Sequence, residues 1–339
     1  MLRPYILTTL VNFLKDPKVF KTPNFWHSDS YLSHILKPIS WIYYYLSKWK
    51  ESRHKPYKVS IPVICVGNLV MGGAGKTPTV IKIVTMLKDS GLNPHILSRG
   101  YGGYFREAAR VDVNKHSYLQ VGDEPLLLSQ YAPTWVGKSR VQTAQAAIEA
   151  GATTLIMDDG LQNSRLFKDY SIIVIDNLQG LGNKKIFPAG PLREPLQQGL
   201  KRANAVLFIG EENCHSRFKE ISSCKPYYTA QLSPSGSVIP QKVIAFAGIG
   251  YPEKFRHTLQ TSGFSVLDFI EFADHHPYTI IEIQKLKKLA NLYKATLITT
   301  EKDFFRIPNS YKDNILILPV ALKFTKDQDT LLKDLQNYF

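Results

Sequence analysis

Cysteine is scarce in this chain: Cys65, Cys214 and Cys224 are the only three in 339 residues. An odd, widely spaced set excludes a disulfide framework and supplies no pair at zinc-ligand spacing, so a reducing, cytosolic setting is expected. Cys65 falls inside an apolar run and reads as core, not as a reactive thiol. Acidic side chains are also in short supply. Lys and Arg number 42 against 28 Asp and Glu, a net charge of +14. Such an excess favours an anionic partner: nucleic acid, an acidic membrane surface or a phosphorylated substrate. No recognised nucleic-acid motif accompanies the charge, and the aromatic residues gather near a helix instead of on strands, so no nucleic-acid partner is expected. Long apolar runs are missing too; none reaches the roughly 20 residues that span a bilayer. Lys15, Asp16 and Lys18 interrupt the first apolar segment, residues 6–14, and no small-residue cleavage site follows, which argues against a secretory leader. No fixed-period repeat and no low-complexity tract is present.

What is present is a globular composition, 44% hydrophobic and 21% charged, in a chain long enough to bury a large core and hold two domains. Near the N-terminus Ile35, Leu36, Ile39, Ile42, Tyr43, Leu46 and Trp49 recur at helical spacing. Trp41, Tyr44 and Tyr45 crowd the same helix, and Lys48, Lys50, Arg53, His54, Lys55 and Lys58 follow. Aromatic rings with a polar edge suit the membrane interface, and adjacent cations suit anionic head groups. Residues 1–55 are therefore expected to form an amphipathic, membrane-associating helical segment, the alternative being a helix packed on its own domain. Beyond it, apolar runs at 59–66, 95–97, 135–136, 154–157, 171–175 and 205–209 alternate with helical patterns at 79–88, 124–129 and 140–149. Strands that are apolar throughout and end in polar or glycine-rich loops predict a mostly parallel sheet with helices on both faces. In such sheets ligands sit at the carboxyl ends of the strands. The pattern breaks within 231–241, at Ser-Pro-Ser-Gly-Ser. A second series follows, with strands at 243–247, 264–267, 296–298 and 315–318 and helices at 279–293 and 327–336. The expected architecture is α/β: a phosphate-loop NTPase-like domain over 56–235, a smaller α/β domain over 236–339, and the N-terminal amphipathic helix.

The chemistry gathers at strand ends. Residues 67–78, Gly-Asn-Leu-Val-Met-Gly-Gly-Ala-Gly-Lys-Thr-Pro, follow the strand 63–66. Glycines let backbone N–H groups turn onto phosphate oxygens, Lys76 reaches the β- and γ-phosphates, Thr77 holds Mg²⁺, and the next helix points its positive end at the anion. Val70, Met71, Gly72, Gly73, Ala74, Gly75, Lys76 and Thr77 are thus the expected nucleotide-binding residues. The strict pattern wants glycine where Val70 stands, so Gly72-Gly73 and Gly75 must shape the loop. Asp158 and Asp159 end the strand 154–157, where a carboxylate holds Mg²⁺ directly or through water. Side chains alternate along a strand, so one aspartate can take the metal while the other serves the substrate or a second metal. Asp123, just after Gly122, reads either as a helix cap or as the general base that takes a proton from an attacking hydroxyl. In Ser98-Arg99-Gly100-Tyr101-Gly102-Gly103, arginine among glycines suits phosphate and Tyr101 suits a sugar or lipid pocket; a plain turn fits as well. Asp274, His275 and His276 form a titratable cluster with no further His or Cys at zinc spacing, so a histidine that orients or tunes a carboxylate base is the sharper reading. Thr300-Glu301-Lys302-Asp303 either reads a nucleotide base or is a salt-bridged helix start. Arg193-Glu194 sits in a proline-stiffened loop, 188–195, to which sequence alone gives no role. These features point to a triphosphate-dependent kinase, and they leave open a phosphate-loop ATPase or GTPase switch that regulates a partner protein.

Taken in order, the strings resemble one family, the tetraacyldisaccharide 4'-kinases of lipid A biosynthesis. They are Pro38-Ile39-Ser40-Trp41-Ile42-Tyr43, Val66-Gly67-Asn68-Leu69, Gly72 to Pro78, Ser98 to Gly103, Gly122-Asp123-Glu124-Pro125, Asp158-Asp159-Gly160-Leu161-Gln162, Gly190 to Pro195, Ala247-Gly248-Ile249-Gly250, Phe272-Ala273-Asp274-His275 and Thr300-Glu301-Lys302-Asp303. The resemblance begins near residue 25 and runs to the C-terminus. It implies an ATP-dependent kinase that phosphorylates the 4'-hydroxyl of a tetraacylated glucosamine disaccharide 1-phosphate, giving lipid IVA, with Mg²⁺ as cofactor. The partners implied are the acylated disaccharide and the anionic inner-membrane surface. The enzyme would be a peripheral monomer on the cytoplasmic face of the bacterial inner membrane. Carried over by position, Asp123 is the base and His275 its partner. Lys76 and Thr77 take phosphate and Mg²⁺, and Asp158 and Asp159 organise the metal. Tyr101, Arg140, Gln162 and Arg193 are implied substrate or nucleotide contacts. Because His275 follows the break, the active site is expected between the two domains, assembled by their closure.

Overall fold

The structure, a computed structural model, describes residues 23–52, 55–211, 213–236 and 238–339. The apolar segment 6–14, and Arg53 and His54 of the basic run, lie outside the described residues. The chain divides into two compact units. Strands in chain order are β1 (Val63–Gly67), β2 (Pro94–Ser98), β3 (Ala109–Arg110), β4 (Thr134–Val136), β5 (Thr154–Asp158), β6 (Tyr170–Asp176), β7 (Ala205–Ile209), β8 (Tyr227–Pro234), β9 (Lys242–Ala247), β10 (Ser265–Glu271), β11 (Thr296–Thr299), β12 (Ile315–Ile317) and β13 (Val320–Phe324).

The larger unit is built on a nine-stranded sheet in the order β13-β8-β7-β6-β1-β5-β2-β4-β3. Pairing is parallel from β8 across to β4, and β3 closes the edge antiparallel to β4. The expected mostly parallel α/β sheet is what forms, and the reason is visible in the side chains. On β1, Val63 and Cys65 enter one core cluster while Ile64 and Val66 enter the other. On β6, Ile173 and Ile175 face the first and Ile172 and Val174 the second. A strand apolar at every position needs helices on both faces, and it has them. The helix Lys76–Asp89 buries Val80, Ile83, Val84 and Leu87 on one side, and the helix Arg140–Glu149 buries Ala144 and Ala147 on the other. Burial raises the Cys65 thiol to about 11, in keeping with a core role.

Residues 322–339 group with the larger unit, whereas the sequence reading placed them in the smaller domain. The helix Gln328–Gln336 buries Leu331 and Leu335 completely in the cluster that holds Val80 and Leu207, worth about 1.5–3 kcal/mol for each leucine. The Tyr228 hydroxyl donates to the Asp334 carboxylate and fastens the same helix.

The smaller unit, Ser233–Ala321, carries a four-stranded parallel sheet, β10-β9-β11-β12. The helix Ile280–Leu292 covers one face and Pro252–Thr261 the other.

The N-terminal helices, Tyr31–Ile35 and Lys37–Ser52, dock by a polar face on the larger unit. Buried Ser40 donates to the Ile186 carbonyl at 2.8 Å and accepts from the Ala189 N–H at 3.0 Å. Tyr43 meets Phe187 edge to face, and the Trp26 indole donates to the Pro188 carbonyl at 3.0 Å. On the opposite face Ile35, Ile39, Ile42, Leu46 and Trp49 are each more than half exposed.

Candidate active site

The loop after β1 is shaped by contacts its sequence does not announce. Positive φ occurs at Gly72 (108°) and Gly75 (85°) and not at Val70, so the position where the strict pattern wants glycine has no need of it. Val70 instead packs into the core and pairs its backbone with Leu192. Gly75 caps the helix Lys76–Asp89 in the left-handed conformation, and an added Cβ would meet Ile209 Cδ1 at 2.6 Å. No acidic residue stands in that helix's first turn and no side chain caps it, which leaves its positive end to an external anion. The loop is braced from outside. Arg193 N donates to Leu69 O at 2.8 Å, Met71 N to Pro191 O at 2.9 Å, and Gln179 Nε2 to Met71 O at 2.8 Å.

The two aspartates lie beside the root of this loop. Asp158 pairs in register with Val66, and the Asp159 N–H donates to the Val66 carbonyl at 3.0 Å. Asp158 is buried, with the Ser98 hydroxyl 3.4 Å from its carboxylate. Asp159 adopts a left-handed φ of 51° and meets two cations. Arg193 Nη1 contacts its oxygens at 2.9 and 3.0 Å, and Lys76 Nζ stands at 3.6 Å. Burial pushes this carboxyl up, but Lys76 and Arg193 together outweigh burial and hold it below its ordinary value. Among the described residues no three of His, Cys, Asp and Glu converge. A cation here would take the hard oxygens of Thr77, Asp158 and Asp159 and complete its shell with phosphate and water, which is the usual habit of Mg²⁺. The donor set fits that ion.

Asp123 opens the helix Asp123–Leu128, is buried, and accepts from the Glu124 N–H at 2.9 Å. Gly122 before it has φ of 89°, and a Cβ there would strike the Tyr101 carbonyl at 2.6 Å. The loop 98–103 and the start of the Asp123 helix therefore lie in contact at the end of β2. Tyr101 is 62% exposed in that loop.

The structure gives the remaining expected residues different surroundings. Arg140 is buried and its guanidinium donates to the Ser98 carbonyl; burial draws it down to about 10, with Asp158 opposing. It holds the loop at the end of β2. Gln162 donates to Asn68 O at 3.1 Å and to Glu194 Oε1 at 3.0 Å, and it accepts from Arg193 Nη1 at 3.3 Å. Asn68 Oδ1 in turn accepts from Lys76 Nζ at 3.2 Å. Asn68 and Glu194 are the residues sequence reasoning passed over as site members. Their only signal was position inside motif strings.

His275 belongs to the smaller unit. Its N–H donates to the Gly248 carbonyl at 3.0 Å, its backbone is left-handed at φ 58°, and Nε2 lies 3.8 Å from Asp274. The loop is held by Asp303, fully buried, which accepts from Gly248 N at 2.8 Å, the Tyr278 hydroxyl at 2.6 Å and Arg306 Nη2 at 2.8 Å. Thr300 caps the helix Glu301–Arg306 by accepting from Asp303 N. Of the two readings of Thr300 to Asp303, the geometry matches the salt-bridged helix start.

A family model described as tetraacyldisaccharide-1-P 4'-kinase matches residues 32–338. A protein named tetraacyldisaccharide 4'-kinase from Paramagnetospirillum magneticum is 42% identical over 318 residues, covering 93% of this chain and 97% of its own. One of the same name from Rhodospirillum rubrum is 41% identical over 310 residues, covering 90% and 94%. Among solved structures, LpxK from Aquifex aeolicus in complex with ATP is similar at 27% identity and a TM-score of 0.69, covering 91% of this chain and all of that one.

Proposed function

The chain belongs to the tetraacyldisaccharide-1-P 4'-kinase family, and from that premise we propose how its residues transfer phosphate. The reaction moves the γ-phosphate of ATP to the 4'-hydroxyl of a tetraacylated glucosamine disaccharide 1-phosphate. The supporting observation is the convergence of Lys76 and Arg193 on one carboxylate at the root of the phosphate loop. Two cations fixed beside an uncapped helix start form a cradle for a polyanion.

The loop 70–75, with Lys76, holds the β- and γ-phosphates, its Met71 N–H staying on the Pro191 carbonyl that braces the loop. Thr77, Asp158 and Asp159 would hold Mg²⁺, which would supply charge neutralisation to the phosphate oxygens. Asp123 takes the proton of the attacking hydroxyl, and His275 is the second residue assigned to catalysis. Transfer is direct, through a loose transition state, with no phosphoenzyme. Arg193 and Tyr101 contact nucleotide or acceptor. Arg140 fixes the loop that carries Tyr101.

The acceptor's acyl chains keep it in a bilayer, so the enzyme works as a peripheral monomer on the cytoplasmic face of the inner membrane. The exposed apolar stripe of the N-terminal helix supports this, as does the net charge of +14. No helix among the described residues is long and apolar enough to cross a membrane.

The test is transfer of labelled γ-phosphate to a lipid A precursor in detergent micelles, where label appears in the lipid. ATP consumption with no labelled lipid overturns the proposal. Asp123→Ala is expected to cut turnover by about 10²-fold or more, with ATP binding intact. Near-normal turnover in that variant removes Asp123 as the base.

A further inference from the structure

Gln162 makes more hydrogen bonds in the site than a residue that greets a substrate can spare. A side-chain amide has two N–H donors and one carbonyl. Both donors are committed, to Asn68 O at 3.1 Å and Glu194 Oε1 at 3.0 Å, and the carbonyl accepts from Arg193 Nη1 at 3.3 Å. Turning the amide over would set its oxygen against two acceptors and its nitrogen against a guanidinium, so the orientation is fixed by chemistry. Glu194 is itself buried and is held by Arg202 Nη2. Arg202 lies at the far end of the helix Leu196–Arg202 and is partly exposed.

The bonds continue from Gln162 along two branches. On one, Asn68 is completely buried, donates to Val70 O at 2.8 Å and accepts from Lys76 Nζ at 3.2 Å. On the other, Arg193 contacts Asp159 with the same nitrogen that Gln162 receives. One amide therefore stands behind both cations of the phosphate cradle.

We propose that Gln162 is a positioning residue for phosphate transfer, not a contact for the acceptor. Anchored by the ion pair of buried Glu194 with Arg202, it sets Lys76 through Asn68 and sets Arg193 directly. Arg202, remote from the phosphate loop in sequence, acts on nucleotide through this relay. The proposal rests on the kinase reading only for the identity of the acceptor; the relay itself is read by nucleotide affinity, which needs no acceptor.

The experiment uses the full chain and measures affinity for a fluorescent ATP analogue, together with the KM values for ATP and for the lipid acceptor. Gln162→Met keeps the length and removes all three hydrogen bonds. Nucleotide affinity and the KM for ATP are expected to weaken about tenfold, the scale of losing a hydrogen bond to a charged group, with the KM for lipid unchanged. Arg202→Met should move the same two quantities in the same direction, Arg202→Lys should restore most of the loss, and Arg202→Met should add little in a Gln162→Met background. A rise confined to the lipid KM in Gln162→Met overturns the proposal, and so do effects of the two variants that multiply independently. Should Gln162→Met fail to fold, Arg202→Met against Arg202→Lys decides: equal, wild-type nucleotide affinity in both refutes the relay. If the unmodified chain transfers no phosphate to lipid, the kinase reading falls while the affinity measurements still judge the relay.

Discussion

At the scale of single residues, Asp159 carries the sharpest consequence. Its carboxylate holds Arg193 at 2.9 and 3.0 Å and Lys76 at 3.6 Å, so two oxygens of one negative group already engage the cations that the proposed mechanism assigns to phosphate. A triphosphate must compete with it for them. Asp159→Asn removes that competitor and also removes a proposed oxygen ligand for Mg²⁺. Nucleotide affinity measured without Mg²⁺ is expected to hold or rise several-fold, while phosphate transfer falls by about 10²-fold or more. Weakened metal-free binding in Asp159→Asn would show that the carboxylate organises the cations instead of competing for them. Arg140 teaches a related point about legibility. The family resemblance implies it as a substrate or nucleotide contact. Its burial and its bond to the Ser98 carbonyl come from a packing arrangement that no local pattern encodes.

At the scale of elements, helix starts and strand ends were the readable parts. The run 63–66, the loop after it and the helix behind Lys76 emerge where apolar periodicity and glycine spacing place them. The braces did not show. The segment 191–193 pins the phosphate loop through Arg193 N, Pro191 O and the Val70–Leu192 bridge, and the neighbouring stretch 183–189 also seats the N-terminal helix through Ser40 and Phe187. Backbone contacts between segments more than a hundred residues apart leave no mark in either sequence. Another case is the helix Ile280–Leu292, which opens with a capping box. Thr279 accepts from Glu282 N, and Glu282 accepts from Thr279 N at 2.8 Å and faces His276 Nε2 at 3.1 Å. Burial raises the Glu282 carboxyl, but the Thr279 and His276 contacts prevail and leave it lowered. A depressed folded-state value means stability that is fully present above the unfolded carboxyl's ordinary value and is lost as pH falls through the folded one. Denaturant unfolding of Glu282→Gln should therefore show a deficit of about 0.5–2 kcal/mol near pH 7 that shrinks on acidification below pH ~4. A deficit independent of pH would assign the loss to packing and not to the charge.

At the scale of the whole molecule, charge and shape pull in one direction. The chain carries +14, and on its two N-terminal helices Ile35, Ile39, Ile42, Leu46 and Trp49 are more than half exposed while Ser40 and Tyr44 are buried. Periodicity predicts the apolar stripe, and in the structure each of these five side chains is more than half exposed. Apolar burial and attraction to anionic lipid are separable, because only the second is screened by salt. Flotation with vesicles of anionic phospholipid should recover the protein at low salt, with recovery falling as salt rises and lower throughout with neutral vesicles. Ile42→Ser with Leu46→Ser removes two exposed side chains whose full burial in lipid is worth about 1.5–3 kcal/mol each. Membrane affinity should then drop by about 10²-fold or more at every salt concentration, and the thermal unfolding curve should move little because both side chains are more than half exposed. Undiminished flotation of the double variant would leave charge alone to hold the enzyme at the bilayer and would take the helix stripe out of the mechanism.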